Sequence, residues 1–256
     1  MMGGSKTYIE ATTANHAQGT DPEWGAKIGD LGKVDKDEVV KHSSIRLANA
    51  LISKSKKYER SYKHLVHIKG KPFVLAIAPF EQPFFWTQND NAICQVLYGY
   101  KKPIFKDIPE ENRREILGHE YIDFIEKPNG AEVPMGYFTN GEMPEISAVI
   151  FSNTATFGKV RALSKDPCPM VFEHLRYNKK GLTAHHRVTP KNGYVETLLE
   201  GLHVYHNPTA RHPLDEKFLQ DNDVTHHWYS FEDGFPFDDA KDEALIQRMT
   251  IGVRPE

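Results

Sequence analysis

The sequence predicts an α/β fold, a central mixed β-sheet flanked by helices, and three observations carry that prediction. A short β-prone run, YIEATT at Tyr8–Thr13, is followed by a polar stretch, a long segment of helical periodicity and the uncharged run FVLAIAPF at 73–80. A second helical pattern spans 88–100, and a second apolar run, ISAVIFS, spans 146–152. Strands alternating with helices in this order are the signature of a layered α/β protein. With 256 residues, 39% of them hydrophobic, the chain is long enough to bury roughly three quarters of its unfolded surface.

Each element has a local reason. Tyr8–Thr13 alternates in β-prone residues and opens almost at Met1. Residues 16–36 are polar and carry Gly19, Gly25, Gly29 and Gly32 with an Asp21-Pro22 turn signal, which reads as a long excursion. From Asp37 the period becomes helical, with Ala48, Leu51, Ser55, Tyr58 and Tyr62 forming one stripe, and Gly70 and Pro72 closing it. Residues 73–80 are too apolar for a half-exposed strand and fit a strand covered on both faces. In 88–100, Ile93, Val96, Leu97 and Tyr100 form the buried stripe of a second helix. Residues 103–144 read as an elaboration, with a short helix opened by Pro109 and running to Leu117 and a turn at Pro128-Asn129-Gly130. Residues 146–152 belong to the same sheet as 73–80. Beyond them Pro167, Pro169, Pro190, Pro208, Pro213 and Pro236 divide the chain into short pieces, with strand-like fragments at 201–205 and 227–231. The organisation expected is a core over 1–160 and an irregular Pro- and His-rich extension over 161–256, packed on the core as one compact unit.

Composition narrows the function classes. Cys94 and Cys168 are far apart, with no second thiol at ligand spacing, so neither a disulfide framework nor a thiolate zinc site is expected. No apolar run approaches the length of a membrane span, and MMGGSKTY lacks the build of a signal peptide, so a cytoplasmic protein without a membrane partner is expected. The net charge of −3 hides an asymmetry: residues 41–71 hold nine Lys or Arg and one acid, Glu59, whereas 232–243 hold six acids and only Lys241. A basic helix of this kind either faces phosphates or is a solvated surface, and Lys54, Lys56, Lys57, Arg60 and Lys63 are the candidates for nucleic-acid contact.

The strand with Glu10, the basic helix and the buried strand after it resemble the PD-(D/E)XK (restriction-endonuclease-like) nuclease superfamily over about residues 8–80, and loosely to 152. The resemblance implies a restriction-endonuclease-like core. It also implies magnesium-dependent phosphodiester hydrolysis, with Glu10 as a metal ligand, hard oxygen ligands suiting that ion. Thr12 stands where the family has Lys, so the cation implied is Lys54 of the following helix. Tyr58 lies four residues on, and Lys54-x-x-x-Tyr58 places both side chains on one helix face. No Asp or Glu precedes Glu10. The resemblance therefore implies that the natural frame extends upstream of Met1 and supplies a strand with the first metal-binding Asp. ISAVIFSNTATFGKVRAL and HVYHNPTARHPL resemble stretches of uncharacterised bacterial proteins and bring no known chemistry with them.

Two other functional classes follow from the same residues. Thr12 and the missing Asp favour a non-catalytic protein of the nuclease fold, binding nucleic acid or a protein partner. A His-based metal protein is the third class, because His185, His186, His203, His206, His212, His226 and His227 fall in the last third of the chain. Adjacent histidines on a strand point to opposite faces, and no one-face motif of the H-E-x-x-H kind is present. Nor is there a nucleophile elbow, and Cys94 lies inside a predicted helix, so covalent catalysis is not expected. The Gly-rich nucleotide motifs are missing as well.

Overall fold

The computed structural model describes residues 6–14, 35–80, 84–88, 90–108, 113–165, 167, 169–180 and 183–252. The chain runs β1 (Tyr8–Thr13), α1 (Lys36–Arg60), β2 (Phe73–Ala78), α2 (Asp90–Tyr98), β3 (Tyr100–Ile108) and β4 (Arg113–Tyr121). It continues through β5 (Phe124–Glu126), β6 (Glu132–Pro134), β7 (Ala148–Phe151), α3 (Phe157–Leu163), β8 (Met170–Arg176) and β9 (His185–Pro190). β10 (Leu202–His206), β11 (Val224–Ser230), β12 (Phe235–Asp238) and β13 (Leu245–Gly252) complete it.

A mixed six-stranded sheet in the order β1-β2-β7-β10-β11-β12 forms the centre. β1, β2 and β7 are parallel neighbours, β7 meets β10 antiparallel, β10 and β11 are parallel, and β12 returns antiparallel along β11. Residues 8–13 pair parallel with 73–78, and these pair parallel with 148–151, so that 146–152 and 73–80 share one sheet as expected from sequence.

The long helix starts where Asp35 caps it, its carboxylate accepting from the backbone N–H groups of Asp37 at 2.9 Å and Glu38 at 3.3 Å. Acids in its first turn and Lys57 and Arg60 in its last complement the helix dipole. One face of the sheet presents Phe73, Leu75, Ile77, Val149, Phe151 and Tyr205 to Ile45, Leu47, Ala48 and Leu51 of α1 and to Ile93, Val96 and Leu97 of α2. The opposite face, with Val74, Ala148, Ile150, Val204 and Val224, is covered by Leu214. Among the described residues no helix is long and apolar enough to cross a membrane.

Two sequence expectations change here. Of the helix expected from Pro109 to Leu117, residues 113–117 instead lie in strand β4, and 109–112 lie outside the described residues; β3 and β4 pair antiparallel from Tyr100↔Tyr121 to Ile108↔Arg113. Pro followed by acids is only a local helix-start signal, and cross-strand pairing such as Phe105↔Ile116 overrides it. The part beyond residue 160 is also more regular than expected. It contributes β10, β11 and β12, half of the central sheet, and a second sheet in the order β13-β8-β9. Its prolines do not prevent this, because Pro190 and Pro236 lie on edge strands, where a missing N–H costs no ladder bond, and the others lie between strands. The polar excursion at 16–36 lies almost wholly outside the described residues, as does Cys168.

The two sheets are joined by buried charge. Glu196 Oε1 is ion-paired with Lys159 Nζ of α3 at 2.8 Å, and its Oε2 accepts from Arg248 of β13 and from the hydroxyl of Tyr194 at 2.7 Å each. Arg176 of β8 pairs with Glu200 and also donates to the carbonyls of Glu243 and Val195. These contacts fix the chain entering β10, where the site described next begins.

Candidate metal centre

Glu10 and Lys54 come together in the structure. Glu10 Oε1 accepts from Lys54 Nζ at 2.7 Å and from Lys57 Nζ at 3.0 Å. Burial pushes the Glu10 carboxyl up, but the two ammonium groups outweigh it and hold the carboxyl below its usual value. Its Oε2 is buried and makes no hydrogen bond among the described residues. Tyr58 takes no part: it lies in the apolar stripe with its ring 4.8 Å from that of Phe73, because burying an aromatic face outweighs presenting a hydroxyl at the strand edge. Lys56 and Arg60 are exposed, and Lys63 pairs with Glu59 at 2.6 Å. Among the described residues Glu10 belongs to no group of three or more metal-ligating side chains.

Such a group exists elsewhere, on the same face of the sheet. Strand alternation sends His203 and Tyr205 of β10, and Thr225 and His227 of β11, toward the helices, while Val204, His206, Val224 and His226 face away. Tyr205 and His227 are register partners, and their rings stack at 4.2 Å with 9° between planes. α2 begins at Asp90, so its first carboxylate is delivered to these two strands.

The donor atoms of Asp90, His203 and His227 all lie within 4.8 Å of one another. His203 Nδ1 is 3.0 Å from His227 Nε2 and 4.0 Å from Asp90 Oδ1. A tetrahedral zinc ion with bonds of about 2.0–2.1 Å separates its ligands by about 3.3 Å, and the observed 3.0 and 4.0 Å bracket that spacing. Without an ion, one imidazole donates to the other across the 3.0 Å contact; an ion takes the place of that shared proton.

The surroundings hold the carboxylate in place. Tyr205 donates to Asp90 Oδ1 at 3.1 Å and Tyr177 to Oδ2 at 3.3 Å, the kind of outer contact that orients a ligating carboxylate. Burial opposes the charge on Asp90, but His227, His203 and these two hydroxyls outweigh it and hold the carboxyl below its usual value. Burial drives the His203 imidazole down to about 4, with His227 adding to the effect and Asp90 opposing it. Burial lowers His227 too, against the pull of Asp90 and Asp239. At neutral pH the group is therefore one carboxylate and two neutral imidazoles, the protonation state that metal binding requires. Both imidazoles are buried, whereas the Asp90 side chain is 34% exposed, so the open side of the group is the Asp90 side. Cys94, one turn after Asp90, is not part of the group, and burial pushes its thiol well above the usual range.

The other histidines separate cleanly. His206 Nε2 and His226 Nδ1 are 2.9 Å apart on the far face, stacked with Trp228, and no third donor joins them among the described residues. His185 and His186 pair with Glu243 at 3.3 Å and Glu173 at 2.9 Å on β9. Sequence reasoning correctly put His226 and His227 on opposite faces but did not single out Asp90. The available signal was parity: His203-x-Tyr205 and His227-x-Tyr229 each put a histidine and a tyrosine on one strand face, and Asp90 opens a predicted helix. Comparison of the chain with protein-family models, with curated proteins and with solved structures found no match, so the reading of this site rests on its own chemistry.

Proposed function

We propose that this protein is a metalloprotein that binds one divalent transition-metal ion of the zinc class through Asp90, His203 and His227, leaving at least one coordination position for an exogenous ligand. The observation that carries the reading is the convergence of three donors from three separate elements within 4.8 Å, two of them on buried imidazoles. Two imidazoles and one carboxylate suit zinc, iron or a neighbouring metal, whereas magnesium prefers an all-oxygen shell with several waters. Three protein ligands with an open position are the pattern of metal sites that activate a bound molecule; sites that only stabilise a fold fill all four positions with protein ligands.

The test is calorimetric titration of the chelator-treated chain with zinc, iron(II), manganese(II) and magnesium. One equivalent of zinc or iron(II) should bind, with His203→Ala and His227→Ala each weakening it at least ~100-fold and His206→Ala leaving it unchanged. Equal loss in His206→Ala, or no binding to the parent, refutes the assignment.

One observation favours a second reading, the nuclease-like site built on Glu10 and Lys54: the two side chains meet at 2.7 Å. On that reading magnesium binds at Glu10 and displaces Lys54 and Lys57 from its Oε1. Magnesium-dependent cleavage of DNA or RNA that is lost in Glu10→Ala would support it, and cleavage that survives that change would remove Glu10 from the chemistry.

A further inference from the structure

The open side of the Asp90–His203–His227 group is bordered by a second carboxylate. Asp238 of β12 stands directly opposite His227 in the antiparallel β11–β12 register. Residues so opposed project to the same side of a sheet, with Cβ atoms about 5 Å apart. Asp238 therefore shares the face that Asp90 approaches, and its charge is felt at Asp90, His203, Tyr177 and Cys94. It is exposed where the imidazoles are buried. Its Oδ1 accepts from the backbone N–H of Ala240 at 2.9 Å, which fixes the carboxylate, while Oδ2 has no hydrogen-bond partner among the described residues.

The charge balance of the site also selects among substrates. Among the described residues no lysine or arginine is hydrogen-bonded or ion-paired to Asp90, His203, His227 or Asp238; their partners are the hydroxyls of Tyr205 and Tyr177, the backbone of Ala240 and one another. Two carboxylates neutralise a bound dication. A phosphodiester would then bring its negative charge to a place where, among the described residues, no lysine or arginine is bonded to the group, and like charges repel. A neutral carbonyl compound brings no charge and offers an oxygen for the metal to polarise.

Resting on the metal reading above, we infer that Asp238 is a catalytic residue that holds water at the open coordination position, and that the site hydrolyses a neutral acyl compound, an ester or amide. The water oxygen forms a bond to the carbonyl carbon as one of its protons passes to Asp238 Oδ2. As the bond to the leaving group breaks, that proton passes to the departing oxygen or nitrogen, and no electrons are exchanged with any other reactant.

The experiment uses the full chain loaded with zinc. Calorimetry compares acetohydroxamic acid, a neutral acyl chelator, with inorganic phosphate, and turnover compares p-nitrophenyl acetate with bis(p-nitrophenyl) phosphate. Acetohydroxamate should bind at least tenfold tighter than phosphate, and the ester should be the compound turned over. Asp238→Asn should leave zinc affinity within threefold, weaken acetohydroxamate about tenfold and lower kcat on the ester at least ~100-fold. Phosphate binding as tightly as acetohydroxamate in the parent overturns the inference without recourse to any variant. So does unchanged ester turnover in Asp238→Asn, or a loss of zinc in that variant, which would make Asp238 a ligand. If the parent binds no zinc, the metal reading falls and this inference with it; if it binds zinc without the selectivity, this inference falls alone.

Discussion

Tyr205→Phe separates the role of the Tyr205 hydroxyl from that of its ring. The ring stacks on His227 at 4.2 Å, and phenylalanine keeps that stack. The hydroxyl donates to Asp90 Oδ1 at 3.1 Å, the same oxygen that lies 4.0 Å from His203 Nδ1. Removing it takes one donor from a carboxylate that is one-third exposed and still held by Tyr177. In the metal-free protein, loss of a hydrogen bond to a charged group that water can partly replace should cost about 1 kcal/mol. In the loaded protein the same change frees the carboxylate to rotate. Loss of an outer contact of this kind typically costs about 10- to 100-fold in metal affinity, or roughly 1.4–2.7 kcal/mol. The assay is zinc competition against a chromophoric chelator, run beside urea denaturation of the chelator-treated protein. A drop of about 10- to 100-fold in affinity with a stability loss near ~1 kcal/mol is expected. Unchanged affinity with the same stability loss would show that Tyr205 only packs and plays no part in orienting the Asp90 carboxylate.

Three further outcomes follow from other parts of the structure. Glu196→Ala should destabilise the protein by about 3–5 kcal/mol in chemical denaturation, because it strands the buried cations of Lys159 and Arg248; a loss below about 1 kcal/mol would mean that the pairs are not closed in solution. His174, held at about 4 by burial and by the neighbouring Arg176 and Arg187, lies below its unfolded value of 6.5. The unfolded chain thus binds the extra proton between those values, so this contribution is complete above pH 6.5 and is lost as pH falls toward 4. It amounts to roughly 3 kcal/mol. His203 and His206, also at about 4, act in the same direction, so the unfolding midpoint of the metal-free protein should fall steeply across that window, and a flat profile would contradict their burial. Finally, the combined change of Lys54, Lys56 and Lys57 to Ala should weaken salt-sensitive binding to DNA or RNA if the basic helix contacts phosphates; equal binding by parent and variant at low salt makes it a solvated surface.

Much of the fold was legible because it follows from local patterning. Residues 73–78 of the uncharged run form an inner strand because the run carries no group that needs water, and the helix before it is marked by its apolar stripe and by Gly70 and Pro72 after it. The β3–β4 ribbon was not legible, since its evidence is a set of cross-strand partners and not a period along the chain. The same limit hid the metal centre. His203 and His227 are separated by 24 residues and meet only because β10 and β11 are parallel neighbours, and Asp90 joins them only because α2 packs on that face. Glu10 and Lys54 were legible as neighbours because one strand and the next helix are enough to bring them together. Their contact as an ion pair shared with Lys57 was not legible, because both Lys57 at i+3 and Tyr58 at i+4 lie beside Lys54 on the helix.

X-ray absorption at the zinc edge, on the protein loaded with one equivalent of zinc, reads the metal centre itself. Coordination by Asp90, His203 and His227 requires nitrogen and oxygen neighbours at about 2.0–2.1 Å and more distant scattering from two imidazole rings. His227→Ala should then lose one ring's contribution. A sulfur scatterer near ~2.3 Å, or a set of oxygens with no imidazole signature, would contradict the assignment of Asp90, His203 and His227 as the metal centre.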